Sequence, residues 1–413
     1  MPNRPNMPAR GACLPVGMGS AKGEKTRYLY SYIVKDLVKK MVFVGGPRQV
    51  GKTTLAKLIG KGEYQAPLCL NWDNSDDRKK IIAGEIDYES DLLIFNEIHK
   101  YKQWKNYLKG EFDKNKDKHN YLITGSARLD LYRRGGDSLL GRYHYYRLHP
   151  FSLREALEIE PNLEIGRPLK FVKSGKAGGI FRDLLTFGGF PEPFLEKNDI
   201  TARRFHSERI DRLVREDIRD IEAVRDISAL QILAEILPSK VGSLFSLNAL
   251  REDFNVAHKT ISLWVDILER FYYHFRIYPF ASSVFKSLRK EPKIYLWDWS
   301  HLEDQAAKLE NIVASHLLKA VHFLRDAYGY KTELYFLRDR DGKEADFLVT
   351  VNRKPWFAVE VKSKDKIVSK NLIYFAGKLR LSYGYQVTED EGVDFEKDNV
   401  RVISASKFLS GLV

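Results

Sequence analysis

The chain has 413 residues, more than one hydrophobic core organises, so two or three domains are expected. Hydrophobic residues at 44% and charged residues at 30% place it among globular proteins, and no apolar run approaches the roughly 20 residues of a membrane span. The net charge of +13 is either a well-solvated surface or the mark of a phosphate-bearing partner, because Lys and Arg gain by releasing counterions from nucleic acid.

The two cysteines, Cys13 and Cys69, have no disulfide or metal-ligand spacing, which fits a reducing, cytoplasmic compartment. Residues 1–25 are rich in Pro, Gly, Arg and Met, with Glu24 as their one acid. Lacking a continuous apolar stretch, they read as a flexible tail and not as a signal peptide.

Residues 26–200 form the first expected domain. Met41 to Val44 is a short apolar β-type run. It is followed by Gly46-Pro47-Arg48-Gln49-Val50-Gly51-Lys52-Thr53, the pattern G-x-x-x-x-G-K-T, and then by a helix starting near Thr54. Strand, glycine loop and helix are the context in which this motif holds phosphates. Its glycines let backbone N–H groups turn onto phosphate oxygens, and the helix N-terminus adds positive potential. Lys52 is assigned to the β- and γ-phosphates of ATP and Thr53 to Mg²⁺.

A second strand, Asp91 to Glu97, ends in Asn96 and Glu97. The usual pair is Asp then Glu, the Asp holding Mg²⁺ and the Glu acting as base on the attacking water. Asn96 is neutral and a weaker partner for a hard cation. A natural substitution and an engineered trap for ATP both predict retained binding with weakened hydrolysis. A third strand, Asn120 to Thr124, leads into Gly125-Ser-Ala-Arg128, so Thr124 or Ser126 is placed to sense the γ-phosphate. Arg142, and after it Arg128, is a candidate arginine finger acting on a neighbouring subunit's nucleotide.

The runs GPRQVGKTTL, LLIFNEIHK, ITGSAR and SLLGRY resemble the AAA+ ATPases that carry a C-terminal restriction-endonuclease-like domain, found in bacteria and archaea. The resemblance covers nearly the whole chain beyond the tail and implies a homo-oligomer, a ring. Most such sequences have Asp at the position of Asn96.

Residues 201–290 are expected to be a helical, winged-helix domain. Arg203 to Arg225 reads as an amphipathic helix with Ile210, Leu213, Val214, Ile218 and Ile221 near helical spacing. Leu247 to Phe254 is a helix, Asn255 to His258 a turn, Lys259 to Arg270 a longer helix, and Phe271 to Tyr278 a strand. In a winged helix the second helix enters the DNA major groove, which would bring His258, Lys259, Thr260 and Ser262 to phosphates or base edges. The alternative is a packing module between two outer domains.

Residues 291–413 read as helix and strands in the order αβββαβ, that of the PD-(D/E)xK nuclease core. Strands are expected at Lys293 to Asp298, Glu333 to Leu337, Ala345 to Val351 and Trp356 to Lys362, and near Tyr385 and Val400. Helices are expected at Leu309 to Leu318 and Ser369 to Leu379. Glu360 and Lys362 share one strand face, with Asp346 on the neighbouring strand. Asp346 and Glu360 are candidate Mg²⁺ ligands, Lys362 the group that orients water, and Glu310 a further carboxylate.

The expected architecture is therefore multidomain α/β: a P-loop AAA+ ATPase, a winged-helix middle and a nuclease-like C-terminal domain. The expected function is an ATP-dependent, oligomeric protein bound to double-stranded DNA, with no membrane association. An ATP-gated, Mg²⁺-dependent DNA endonuclease and an ATPase signalling scaffold for a protein partner are the alternatives.

Overall fold

A computed structural model describes residues 27–413, apart from 87–88, 126–128, 130–138, 219–225, 282, 289 and 365–366, and the side chains of 216 and 217. Ser126, Arg128, Ile221 and the N-terminal tail thus lie outside the described residues.

The first domain is a parallel sheet of five strands in the order β2-β3-β4-β1-β5. The strands are β1 (Met41–Gly45), β2 (Pro67–Asn71), β3 (Leu92–Asn96), β4 (Asn120–Thr124) and β5 (Tyr143–Arg147). Helices α1 (Tyr30–Leu37), α2 (Lys52–Glu63), α3 (Ser75–Ala83) and α4 (Trp104–Asn115) connect or flank them. The central strands are apolar on both faces, as a covered parallel sheet requires. Alternation still sorts them: Val42, Val44, Leu92, Ile94 and Leu122 face one core, and Met41, Phe43, Leu93, Phe95, Tyr121 and Ile123 face the other. The second core is closed by Trp104 and Leu108 of α4, whereas the first runs on into the rest of the molecule.

In the middle, after α5 (Leu153–Ala156), α6 (Ala177–Phe187) and α7 (Pro191–Glu196), helix α8 (Asp199–Arg212) passes into a wider π-turn over Leu213–Ile218, which interrupts the regular helix expected from the periodicity. Then come α9 (Ile227–Ile236), α10 (Leu247–Asp253) and α11 (His258–Arg270). Helix α11 buries Ile261, Trp264, Val265, Ile267 and Leu268 along one side. The following strand, β6 (His274–Pro279), starts three residues later than its aromatic run suggests. Phe271 ends the helix and Tyr272 takes a left-handed φ of 60°, so the chain turns before it can extend.

Strand β6 does not form an independent wing. It pairs antiparallel with β7 (Lys293–Leu296), and its end pairs parallel with β8 (Thr332–Arg338). Both strands are thereby the edge of an eight-stranded sheet ordered β12-β13-β11-β10-β9-β8-β6-β7. The remaining strands are β9 (Glu344–Val351), β10 (Lys354–Lys362), β11 (Tyr383–Thr388), β12 (Asp394–Lys397) and β13 (Val400–Ser404). After the short α12 (Val284–Leu288), helix α13 (Gln305–Tyr328) precedes β8 and α14 (Lys370–Leu379) follows β10, so the order αβββαβ is present.

Candidate functional site

The nucleotide cradle forms where β1, β3 and β4 end at their C-terminal tips, the side of an open α/β sheet that takes ligands. Gly46 has φ 149°, and a Cβ there would meet the Leu148 carbonyl at 2.4 Å. Gly51 has φ 94° and stands immediately before α2. Both positions demand glycine, and together they bend the loop around a concavity. Lys52 is buried, and its Nζ donates to the carbonyls of Gly46 at 3.0 Å and Pro47 at 2.7 Å. The ammonium is thus folded into the loop, available to exchange carbonyls for phosphate oxygens.

Across the cradle, the Thr53 and Thr124 hydroxyls both donate to Asn96 Oδ1, at 3.2 and 2.7 Å. Register explains the meeting: Asn96 pairs with Thr124 in the β3–β4 ladder. Glu97 leaves the strand with φ 56°, and its carboxylate lies 3.4 Å from His99 Nε2. A Cβ at Gly125 would meet His99 Nδ1 at 2.6 Å, so this glycine makes room for the buried histidine. Lys52, Thr53, Asn96 and Thr124 are therefore brought together, and Glu97 follows Asn96 with its carboxylate toward His99. Val50 is buried, Gln49 half-buried, and Arg48 and Thr54 exposed. This donor set fits Mg²⁺-ATP: a turned backbone loop, one ammonium, one hydroxyl and a polar acceptor in the second strand.

Arg142 lies at the opposite end of the sheet, just before Tyr143, which pairs with Met41 at the start of β1. Its guanidinium makes a two-pronged bond to Asp113 of α4, at 2.7 and 2.9 Å. Within its own chain it is remote from the P-loop, so a role on nucleotide requires a neighbouring chain to meet that end of the sheet.

A buried group of charges supports the loop from beneath. Arg27 is buried and donates from Nη1 to the Val50 carbonyl at 2.6 Å, and from Nε to Glu155. Glu155 also accepts from Lys319 of α13, whose Nζ reaches Ser152 Oγ at 2.9 Å. Burial works against the Glu155 carboxylate, but Arg27 and Lys319 hold it below its usual range. Nearby, Asp326 of α13 accepts two bonds from Arg147 of β5, at 2.9 and 2.7 Å. No local pattern signals these pairs, because their partners are over a hundred positions apart.

The second constellation is on the eight-stranded sheet. Asp346 Oδ2 accepts from the Val361 amide at 2.8 Å, which fixes β9 against β10 between Glu360 and Lys362. Lys362 Nζ lies 2.9 Å from Glu360 Oε1. Glu310, on α13, accepts from Tyr295 at 2.7 Å. The four expected residues thus occupy one neighbourhood. Lys293 joins them: its Nζ is 2.6 Å from Glu344, 3.5 Å from Glu310 and 3.6 Å from Asp346. Burial would strip the charge from this lysine, but Glu310, Asp346 and Glu344 reverse that and hold its pKa above the usual range. Burial, with the Asp346 charge added, raises both Glu310 and Glu360. Among the described residues no three His, Cys, Asp or Glu groups stand arranged to hold a metal ion. The available signal for Lys293 was a lysine opening an otherwise apolar strand, two positions before Tyr295 and hence on the same face.

In the middle region, His258 and Lys259 are exposed and Thr260 and Ser262 half-buried at the start of α11. The helix-turn-helix is present, and its open end carries these side chains.

Residues 38–157 match the family described as AAA domain. Over these residues the first domain is similar to AAA-type P-loop domains. Residues 179–309 and 306–408 match two further families, each described only as a domain of unknown function (DUF8612 and DUF4143). Among curated proteins, an uncharacterized protein of Mycobacterium tuberculosis is 24% identical over 293 residues, covering 70% of this chain and 60% of that protein. The chain therefore spans less than two thirds of the length of this relative. An uncharacterized protein of Methanocaldococcus jannaschii is 22% identical, covering 76% of this chain and 73% of its own. The Thermotoga maritima RuvB Holliday junction branch migration motor is 18% identical, covering 61% of this chain and 88% of its own. Its TM-score of 0.29 is too low to establish a shared fold. No helix among the described residues is long and apolar enough to cross a membrane.

Proposed function

We propose that this protein is a cytoplasmic ATP-binding ATPase that assembles as a homo-oligomer on double-stranded DNA, with hydrolysis slowed at Asn96. The observation that carries the ATP reading is the convergence of Lys52, Thr53, Asn96 and Thr124 on one glycine-bounded loop. Lys52 and the loop amides would hold the phosphates, and Thr53 with Asn96 would hold Mg²⁺. Bound Mg²⁺ supplies charge neutralisation on the phosphate oxygens. Glu97 orients water as the base, and Thr124 positions Asn96. Support for DNA comes from the net charge of +13 and the exposed His258 and Lys259 at the start of α11. Arg142, turned away from its own nucleotide, supports an oligomer in which it serves a neighbour.

Labelled-ATP retention tests the base of this reading. Lys52→Ala should weaken binding by about 2–3 kcal/mol, roughly 30- to 150-fold. Unchanged retention would sink it. A salt-sensitive shift of duplex DNA that depends on ATP, together with a particle mass above the monomer's, is expected for the remainder.

A second reading, an ATP-gated and Mg²⁺-dependent DNA endonuclease, is favoured by the clustering of Asp346, Glu360 and Lys362 with Glu310. Plasmid cleavage that requires Mg²⁺ and disappears in Lys362→Ala would replace the first reading.

A further inference from the structure

The C-terminal carboxylates already enclose a cation, and it belongs to the chain. Lys293 is 4% exposed, and Glu344 and Asp346 of β9 with Glu310 of α13 lie within 3.6 Å of its ammonium. Glu360, adjacent in the chain to Val361, whose amide donates to Asp346, is equally buried, and its Oε2 has no hydrogen-bond partner among the described residues. A buried carboxylate oxygen left without a donor is costly, and a cation is what satisfies it. We propose that Lys293 is an internal latch that fills a divalent-cation site, and that a metal ion binds there only when β7 withdraws this lysine.

The strand is built for such a movement. Its far end is clamped, because Asn311 exchanges two 2.8 Å bonds with the Leu296 backbone, one residue along α13 from Glu310. Lys293 sits at the other end, next to the connection from β6. There the strand lies at the sheet edge and is gripped by the middle region, through Gly242 N to Ile294 O at 3.1 Å and Phe245 N to Pro292 O at 2.8 Å. A shift of the middle region would therefore pull Lys293 while leaving Glu310 in place. Withdrawal removes one positive charge from among Glu310, Glu344 and Asp346, and a divalent ion restores it with one to spare. Tyr295, on the same strand face, would stay bonded to Glu310 at 2.7 Å.

The inference rests on reading the C-terminal cluster as a cation site and is independent of the ATPase reading. Mn²⁺ binding is measured without nucleotide, by titration calorimetry and the Mn²⁺ spin signal, on full-length protein. Wild type, Lys293→Met, Lys293→Gln and Lys293→Met with Asp346→Asn are compared, each first shown to be folded by its melting curve. The latch requires both single Lys293 variants to bind Mn²⁺ at least about tenfold more tightly than wild type, the gain vanishing with Asp346→Asn. Should wild type bind Mn²⁺ through Asp346 as tightly as the single variants, the latch is overturned and the cation site stands. Absence of Asp346-dependent binding in every folded variant overturns both. Wild type is informative even where one variant misfolds.

Discussion

On the ATPase reading proposed above, Asn96 limits how fast the P-loop site turns over. Its Oδ1 already takes two hydroxyl donors, so the amide adds donors where a carboxylate would present a second, charged acceptor. Asn96→Asp should retain both threonine bonds and strengthen the hold on hydrated Mg²⁺. About 1–2 kcal/mol of added stabilisation would raise the ATP hydrolysis rate roughly 5- to 30-fold, read by phosphate release. An unchanged rate would move the limiting step elsewhere. His316 sets a different limit. Its Nδ1 faces the Ile312 carbonyl at 2.7 Å and its Nε2 faces the Leu153 amide at 3.0 Å, which requires the neutral ring with the proton on Nδ1. Burial pushes its pKa down to about 3 from the ordinary 6.5. The unfolded chain then binds the extra proton as pH falls through about 6.5, so stability is intact above that value and declines toward about 3. Urea midpoints measured from pH 7 to 4 should fall, and His316→Gln should flatten the slope. A midpoint independent of pH across that range would contradict the buried neutral ring.

Helix α13 shows how much of an element can be read in advance. Its apolar spacing marks Leu309 to Leu318 as helical, but the helix runs from Gln305 to Tyr328. Asp304 caps the start by accepting from Ala307 N at 2.7 Å, and Gly329, at φ 74°, ends it. The added turns carry the polar residues Lys319 and Asp326, which look like a solvated face and are buried instead. Asp326→Ala leaves the Arg147 guanidinium buried without its carboxylate, at an expected cost of about 3–5 kcal/mol in urea unfolding. A loss below about 1 kcal/mol would show that the pair is solvated, as exposed pairs are. By contrast, β12 escaped sequence reading altogether. All four of its residues are exposed, so no alternation of apolar and polar side chains betrays it.

Across the whole molecule, one apolar core joins the three parts, and the buried Arg27–Glu155–Lys319 group ties the P-loop to α13. The same helix then reaches Glu310 in the second constellation. Glu155→Gln removes the carboxylate that Arg27 and Lys319 share. It should destabilise the fold by about 3–5 kcal/mol and, by freeing Arg27 from its place under Val50, weaken ATP binding several-fold. Loss of stability with unaltered ATP affinity would confine the group to a packing role.

What neighbouring residues can do together is written in their order along the chain. The loop from Gly46 to Thr53, the strand ending in Asn96 and Glu97, and the shared face of Glu360 and Lys362 are local, so spacing along the chain reveals their chemistry. Which distant charges meet depends on how the folded elements pack. Arg27 with Glu155 and Lys319, and Lys293 with Glu310, Glu344 and Asp346, are assembled by strand order and helix packing. Away from water, Glu155 and Lys293 keep their charges because these partners outweigh the cost of burial.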